Sequence, residues 1–143
     1  MSHIYAVIMA GGVGSRFWPR SRERTPKQLI EILDSGTMIQ NTVHRMQSLV
    51  PSANTFVVTH KLQEEAIYRQ LPFLPKENVL VEPVGRNTAP CIGLAATWIR
   101  QIDPEGVMVV LPADHVITRP EEFLRVVKLA IKVAQDTDGL LTI

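Results

Sequence analysis

The sequence has little cysteine, almost no net charge and no long apolar segment. A single cysteine, Cys91, excludes an internal disulfide and favours a reducing compartment, so we expect a cytoplasmic protein. The formal net charge is +1, with basic and acidic residues interspersed, which predicts no nucleic-acid partner and no membrane surface. No apolar stretch approaches the roughly eighteen residues that span a bilayer. The remaining class is a globular domain, with 45% hydrophobic and 20% charged residues.

Two familiar glycine motifs are also missing from residues 10–28, which read AGGVGSRFWPRSRERTPKQ. The dinucleotide fingerprint G-x-G-x-x-G fails because Phe17 occupies the third glycine position counted from Gly12. This disfavours a dinucleotide-dependent oxidoreductase. The Walker motif fails because Lys27, the lysine nearest these glycines, is followed by Gln28 rather than by Ser or Thr.

The glycine run is nevertheless suited to holding phosphate. Gly11, Gly12 and Gly14 lack a Cβ, so their backbone N–H groups can approach a ligand closely. Arg16 and Lys27 add the cationic charge that bare amides lack. The alternatives are a glycine-rich turn between a strand and a helix, and surface salt bridges for the two cations. The predicted nucleotide contacts in this stretch are Ala10, Gly11, Gly12, Gly14, Ser15, Arg16 and Lys27.

Short apolar runs alternate with helical patterns along the chain. The runs at 4–10, 55–59, 79–81, 107–111 and 140–143 suit strands that are covered on both faces. This alternation predicts an α/β protein with a Rossmann-like open, mostly parallel sheet flanked by helices. The predicted helices follow a capping box at Thr37 and Gln40, occupy 62–71 before Pro72, begin at a Thr88 cap, and begin near Pro120.

The last residues predict a continuation of the sheet. Asp138 and Gly139 form a turn signal, and 140–143 then read as the start of a further apolar strand. A buried strand rarely ends a chain so abruptly. We therefore expect residues 1–143 to be the N-terminal, nucleotide-binding part of a longer catalytic domain.

Two carboxylates follow predicted strands, as the glycine run does. In an open α/β sheet ligands bind beyond the carboxyl ends of the strands, so Glu82, Asp114 and the glycine run are expected at one edge. Asp114 is suited to Mg²⁺, a hard cation that takes oxygen ligands; capping the next turn is the alternative. His115 is either a second ligand, a phosphate contact or a structural residue, of which the last is commonest at a strand end.

Glu82 is the residue that indicates which nucleotide base is bound. An ionised carboxylate only accepts hydrogen bonds, and guanine presents a ring N–H beside an amino group, whereas adenine lacks this pair. A solvated strand end is the alternative. The following segment adds backbone amides and an amide side chain at a helix N-terminus, a region that favours anions, although Asn87 is equally typical of a helix cap. The predicted contacts here are Glu82, Pro83, Gly85, Arg86, Asn87 and Thr88.

Taken together, these segments resemble the signature of sugar-phosphate nucleotidylyltransferases, which is approximately G-G-x-G-x-R, then a proline, then P-K. The form R-F-W-P-x-S-R with P-K-Q is similar to the mannose-1-phosphate guanylyltransferase branch. EPVGRNTAP at 82–90 and LPADH at 111–115 agree with the same branch. The three segments span most of the chain in the order of the family.

The resemblance implies transfer of GMP from GTP to mannose 1-phosphate, giving GDP-mannose and pyrophosphate. Arg16 and Lys27 would be catalytic by stabilising charge on the phosphates, and Asp114 would bind Mg²⁺. It also implies that the sugar-recognition residues and a second acidic metal ligand lie beyond residue 143, so we expect the isolated 143 residues to be nearly inactive. The alternatives are another sugar phosphate or base, and a non-catalytic nucleotide-binding regulatory module. A homo-oligomer and an attached isomerase domain are both compatible with the sequence.

Overall fold

The alternating pattern of the sequence folds into an open α/β sheet. The computed structural model describes residues 3–12, 29, 31–33, 36–85 and 87–143. The strands in these ranges are β1 (Ile4–Ala10), β2 (Glu31–Leu33), β3 (Gly36–Thr37), β4 (Thr55–His60), β5 (Val79–Glu82) and β6 (Val107–Pro112). The helices are α1 (Met38–Met46), α2 (Glu64–Gln70), α3 (Thr88–Ile102) and α4 (Pro120–Thr137).

Four parallel strands form the main sheet, in the order β5-β4-β1-β6. The short strands β2 and β3 form a separate antiparallel pair. The register sets Ala10 of β1 opposite Thr59 of β4, and His60 of β4 opposite Glu82 of β5. Because the four strands are parallel, their carboxyl ends share one edge of the sheet. The predicted Rossmann-like, mostly parallel α/β sheet flanked by helices is confirmed.

Side chains of β1 enter two separate cores. Ala6 and Ile8 pack into the core that α1, α2 and α4 cover, whereas Tyr5 and Val7 pack into the core that α3 covers. Burial on both faces explains why this strand is continuously apolar rather than alternating. Cys91 of α3 is buried in the second core, where desolvation raises the pKa of its thiol to about 11. The thiol therefore stays protonated at neutral pH.

Two helix starts follow the predicted signals. At α1, Thr37 Oγ1 accepts from the Gln40 N–H at 3.4 Å, and Gln40 Oε1 accepts from the Thr37 N–H at 3.0 Å, which is a complete capping box. α4 begins at Pro120, as its apolar period predicts. α2 begins at Glu64, slightly later than predicted. None of the described helices is long and apolar enough to cross a membrane.

Two local predictions were wrong. Thr88 is the first residue inside α3 rather than its cap, because the chain turns one residue earlier, at Asn87, where φ is 67°. Residues 140–143 form no strand: Leu140 and Ile143 are exposed to solvent. A strand needs a hydrogen-bonded neighbour, and nothing in the described ranges pairs with these residues. The predicted turn before them is present, with Asp138 in the left-handed conformation at φ 51°.

Candidate functional site

The carboxyl edge of the sheet brings three predicted segments together. Ala10 ends β1, Glu82 ends β5, and Asp114 follows β6 by two positions. The Ala113 N–H donates to the Met9 carbonyl at 3.1 Å, which holds the start of the Asp114 loop against β1. The prediction that these segments share one edge is confirmed by the sheet order.

The described start of the glycine run, residues 10–12, is held at the carboxyl end of β1. The buried Thr59 hydroxyl donates to the Ala10 carbonyl at 3.2 Å. An ideal Cβ built on Gly11 would lie 3.0 Å from Glu82 Oε2, although β4 separates their strands. Gly11, the residue directly after β1, and the Glu82 side chain therefore meet beyond the end of β4, and a Cβ at position 11 would press on this carboxyl oxygen. A Cβ on Gly12 would meet nothing within 4 Å.

Glu82 is a buried residue, and one of its two carboxyl oxygens has no hydrogen-bond partner among the described residues. The residue is 5% exposed, and the oxygen in question, Oε1, is itself buried. Desolvation raises the pKa of this carboxyl above its ordinary value of 4.5, while nearby His60 acts in the opposite direction. Such a group is costly unless something else satisfies it, which is typical of binding sites. The alternative of a solvated strand end is therefore wrong.

His60 belongs to this site, although the sequence analysis did not select it. It is half-buried and lies opposite Glu82 in the β4–β5 register. The Leu62 N–H donates to His60 Nδ1 at 3.4 Å, and an ideal Cβ on Gly85 would lie 3.9 Å from His60 Cδ2. The signal that would have found it is a polar residue closing an apolar strand, one strand away from a functional candidate.

The segment after Glu82 lies open at the same edge. Its described members are exposed: Pro83, Gly85, Asn87 and Thr88. Asn87 has φ 67° and ψ −159°, a conformation that typically costs about 1–3 kcal/mol and clusters at ligand sites. Asn87 occupies the N-cap position of α3, as its interpretation as a helix cap predicts, but its side chain makes no capping hydrogen bond.

Asp114 is half-buried at the far side of the edge, and His115 is exposed. Since β5 and β6 are three interstrand spacings apart, Glu82 and Asp114 are roughly 14 Å from each other. No group of three or more His, Cys, Asp or Glu side chains in the described ranges is placed to hold a metal ion. Asp114 supplies one carboxylate at this edge, and its assignment to Mg²⁺ stays a prediction.

Five predicted contacts lie outside the described residues: Gly14, Ser15, Arg16, Lys27 and Arg86. The chain that follows Lys27 is anchored in the fold at Leu29, which is buried. Gln70 Nε2 donates to the Leu29 carbonyl at 3.1 Å, and Gln70 Oε1 accepts from the Thr37 hydroxyl at 2.7 Å. Leu29 is thereby tied to the end of α2, which in turn is bonded to the residue that caps α1.

Comparison with known proteins agrees with this architecture. Residues 5–143 match the family model described as Nucleotidyl transferase. The chain is 40% identical over 138 residues to a mannose-1-phosphate guanylyltransferase of Escherichia coli, with 94% of this chain and 30% of the relative aligned. It is 41% identical over 134 residues to the enzyme of that name from Salmonella muenchen, with 91% and 28% aligned. The chain therefore spans about 30% of the length of these relatives.

Solved structures show the same fold. A Thermus thermophilus structure described as mannose-1-phosphate geranyltransferase superposes with a TM-score of 0.79 at 33% identity, covering 93% of this chain and 38% of that one. A Helicobacter pylori structure described as mannose-6-phosphate isomerase has a TM-score of 0.73 at 24% identity over 94% of this chain and 47% of that one, and shows the fold alone. The chain belongs to the nucleotidyl transferase family and is of the mannose-1-phosphate guanylyltransferase-like kind.

Proposed function

We propose that residues 1–143 are the nucleotide-binding part of an enzyme that transfers GMP from GTP to mannose 1-phosphate. The observation that carries the proposal is the buried Glu82, whose Oε1 has no hydrogen-bond partner among the described residues and whose Oε2 lies close to Gly11 at the carboxyl edge of a parallel sheet. The relatives named mannose-1-phosphate guanylyltransferase, at about 40% identity, support the choice of substrates. Because the chain spans about 30% of their length, the activity is proposed for the whole protein.

Glu82 supports guanine as the base. Its ionised carboxylate only accepts hydrogen bonds, and the ring N–H and amino group of guanine supply two adjacent donors. Guanine would give this carboxylate the partners that the described protein residues do not. Adenine would place a ring acceptor against the Glu82 carboxylate. Buried polar atoms of both the base and the protein would then be left unpaired.

The width of the edge suits the rest of the nucleotide. With the base at Glu82, the phosphates extend across the glycine run toward Asp114, roughly 14 Å away. Asp114 would hold Mg²⁺ together with those phosphates. The ion, when bound, neutralises phosphate charge. The glycine amides, Arg16 and Lys27 would position the triphosphate and stabilise the negative charge of the leaving group.

The proposed reaction is a direct displacement. A phosphate oxygen of mannose 1-phosphate attacks the α-phosphorus of GTP, a new P–O bond forms, and the bond to the β-phosphate oxygen breaks. The products are GDP-mannose and pyrophosphate, and no covalent enzyme intermediate is needed. The work of the protein is therefore to place the two substrates in line and to stabilise charge.

The test is pyrophosphate release by the complete polypeptide with GTP, mannose 1-phosphate and Mg²⁺, compared with ATP, UTP and dTTP. Glu82→Gln should reduce the preference for GTP over ATP about 10- to 100-fold, because charge-assisted hydrogen bonds to the base are lost. Glu77→Gln is the matched control, since Glu77 is exposed ahead of β5 at the opposite end of the strand.

Two outcomes would overturn the proposal in different ways. Equal use of all four nucleotides would refute the assignment of Glu82 to guanine. Tight binding of GTP without pyrophosphate release would favour a regulatory nucleotide-binding module instead.

A further inference from the structure

His60 lies next to Glu82 at the proposed base end of the site. The β4–β5 register sets the two residues opposite each other at the ends of adjacent parallel strands. His60 also borders the segment after β5, since an ideal Cβ on Gly85 would be 3.9 Å from His60 Cδ2. Its side chain is half-buried, so part of the ring is open at the sheet edge.

The surroundings of the His60 ring determine which nitrogen carries the proton. The backbone N–H of Leu62 can only donate, and it points to Nδ1 at 3.4 Å. Nδ1 is therefore the acceptor, and the neutral ring carries its proton on Nε2. Nε2 adjoins Cδ2, the ring atom that faces Gly85. A hydrogen-bond donor is thus carried by the residue opposite the acceptor-only carboxylate of Glu82 in the strand register.

This pair complements the edge of guanine, which presents one acceptor, O6, beside two donors, the ring N–H and the amino group. We infer that His60 Nε2–H donates to O6 of the guanine whose two donors are bound by Glu82. His60 is then a second specificity residue for the base. The inference rests on the function proposed above and deepens it. Adenine carries an amino group in place of O6, so it would set donor against donor at His60 and acceptor against acceptor at Glu82.

The experiment uses nucleotide analogues that change one position of the base at a time. In 6-thio-GTP a sulfur, a weak acceptor, replaces O6, while both donors remain. ITP keeps O6 and the ring N–H but lacks the amino group. Dissociation constants are measured on the full natural chain for GTP, 6-thio-GTP and ITP. The unsubstituted protein should bind GTP about three- to tenfold more tightly than 6-thio-GTP, as expected for one neutral hydrogen bond.

Variants assign this preference to His60. His60→Phe keeps a ring against Gly85 but removes the donor, so GTP binding should weaken about three- to tenfold while 6-thio-GTP binding changes less than twofold. His60→Gln, whose amide nitrogen reaches about as far as Nε2, should restore most of the preference. His44→Phe is the matched control, because His44 is exposed on α1 and should leave both constants unchanged.

The outcomes separate this inference from the proposed function. A preference for GTP over ITP that persists in His60→Phe, together with an unchanged ratio of GTP to 6-thio-GTP, would overturn the role of His60 and leave that of Glu82 standing. Equal binding of GTP and 6-thio-GTP by the unsubstituted protein would by itself overturn the role of His60. If GTP and ITP bind equally to the unsubstituted protein, the guanine assignment fails and this inference fails with it.

Discussion

Replacing Glu82 by Gln should stabilise the fold while it removes the guanine preference. Glu82 is 5% exposed as a residue, and its Oε1 has no hydrogen-bond partner among the described residues. A buried polar atom without a partner costs about 1–3 kcal/mol, and a charged one costs more. Gln keeps the shape and the polar atoms but removes the charge. We therefore expect a gain of about 1–2 kcal/mol in the free energy of unfolding at pH 7.

The pH dependence of this gain has a definite sign. Burial raises the pKa of Glu82 in the folded state above the ordinary value of 4.5. The folded chain therefore holds this proton to a higher pH than the unfolded chain, and the parent loses stability as pH rises through the folded pKa. As the pH falls below 4.5 the carboxyl becomes increasingly neutral in both states. The advantage of Glu82→Gln should thus be largest at neutral pH and disappear in acid.

Urea unfolding of the parent, Glu82→Gln and Glu77→Gln at pH 7 and pH 4 measures this directly. The difference between variant and parent cancels the other titrating groups, which all three chains share. Glu77→Gln, at an exposed site, should stay within about 0.5 kcal/mol of the parent at both pH values. A Glu82→Gln variant that is less stable than the parent at pH 7 would refute the reasoning, because it would mean that the carboxylate has favourable partners in the fold.

Two further pairs of variants test the packing. Gly106→Ala should lower the free energy of unfolding by about 1–3 kcal/mol, because its Cβ would lie 2.7 Å from the buried Tyr5 ring. Gly93 lies at an exposed position of α3, and a Cβ added there would meet nothing within 4 Å. Gly93→Ala should therefore raise the free energy of unfolding by about 0.5–1 kcal/mol. Thr37→Ala should cost about 1–2 kcal/mol through loss of the capping box. Thr97→Ala, at an exposed position inside α3, should leave stability within about 0.5 kcal/mol. The urea midpoints of all four variants test these predictions. If the two glycine variants, or the two threonine variants, changed stability equally, the structural explanation would be contradicted.

Local pattern was sufficient to predict most elements of the fold. The bounds of β1 match the apolar run, and α1 starts at its capping box. Both signals act between residues close in sequence, so they can be read without knowing the fold. The predictions for residues 140–143 and Thr88 failed for the opposite reason. A strand depends on a neighbour that sequence does not show, and the start of α3 depends on the turn at Asn87.

The sequence by itself determined which residues reach the carboxyl edge of the sheet, because strand polarity follows from the alternation of strands and helices. Glu82 and the glycine run could be selected on that basis. Only the tertiary structure decided that Gly11 lies against the Glu82 carboxyl group, that Glu82 is buried, and that His60 lies opposite it in the sheet. These contacts depend on the strand order β5-β4-β1-β6, which brings together residues distant in the chain. Burial and proximity of this kind are set by packing in three dimensions, and no local pattern carries them.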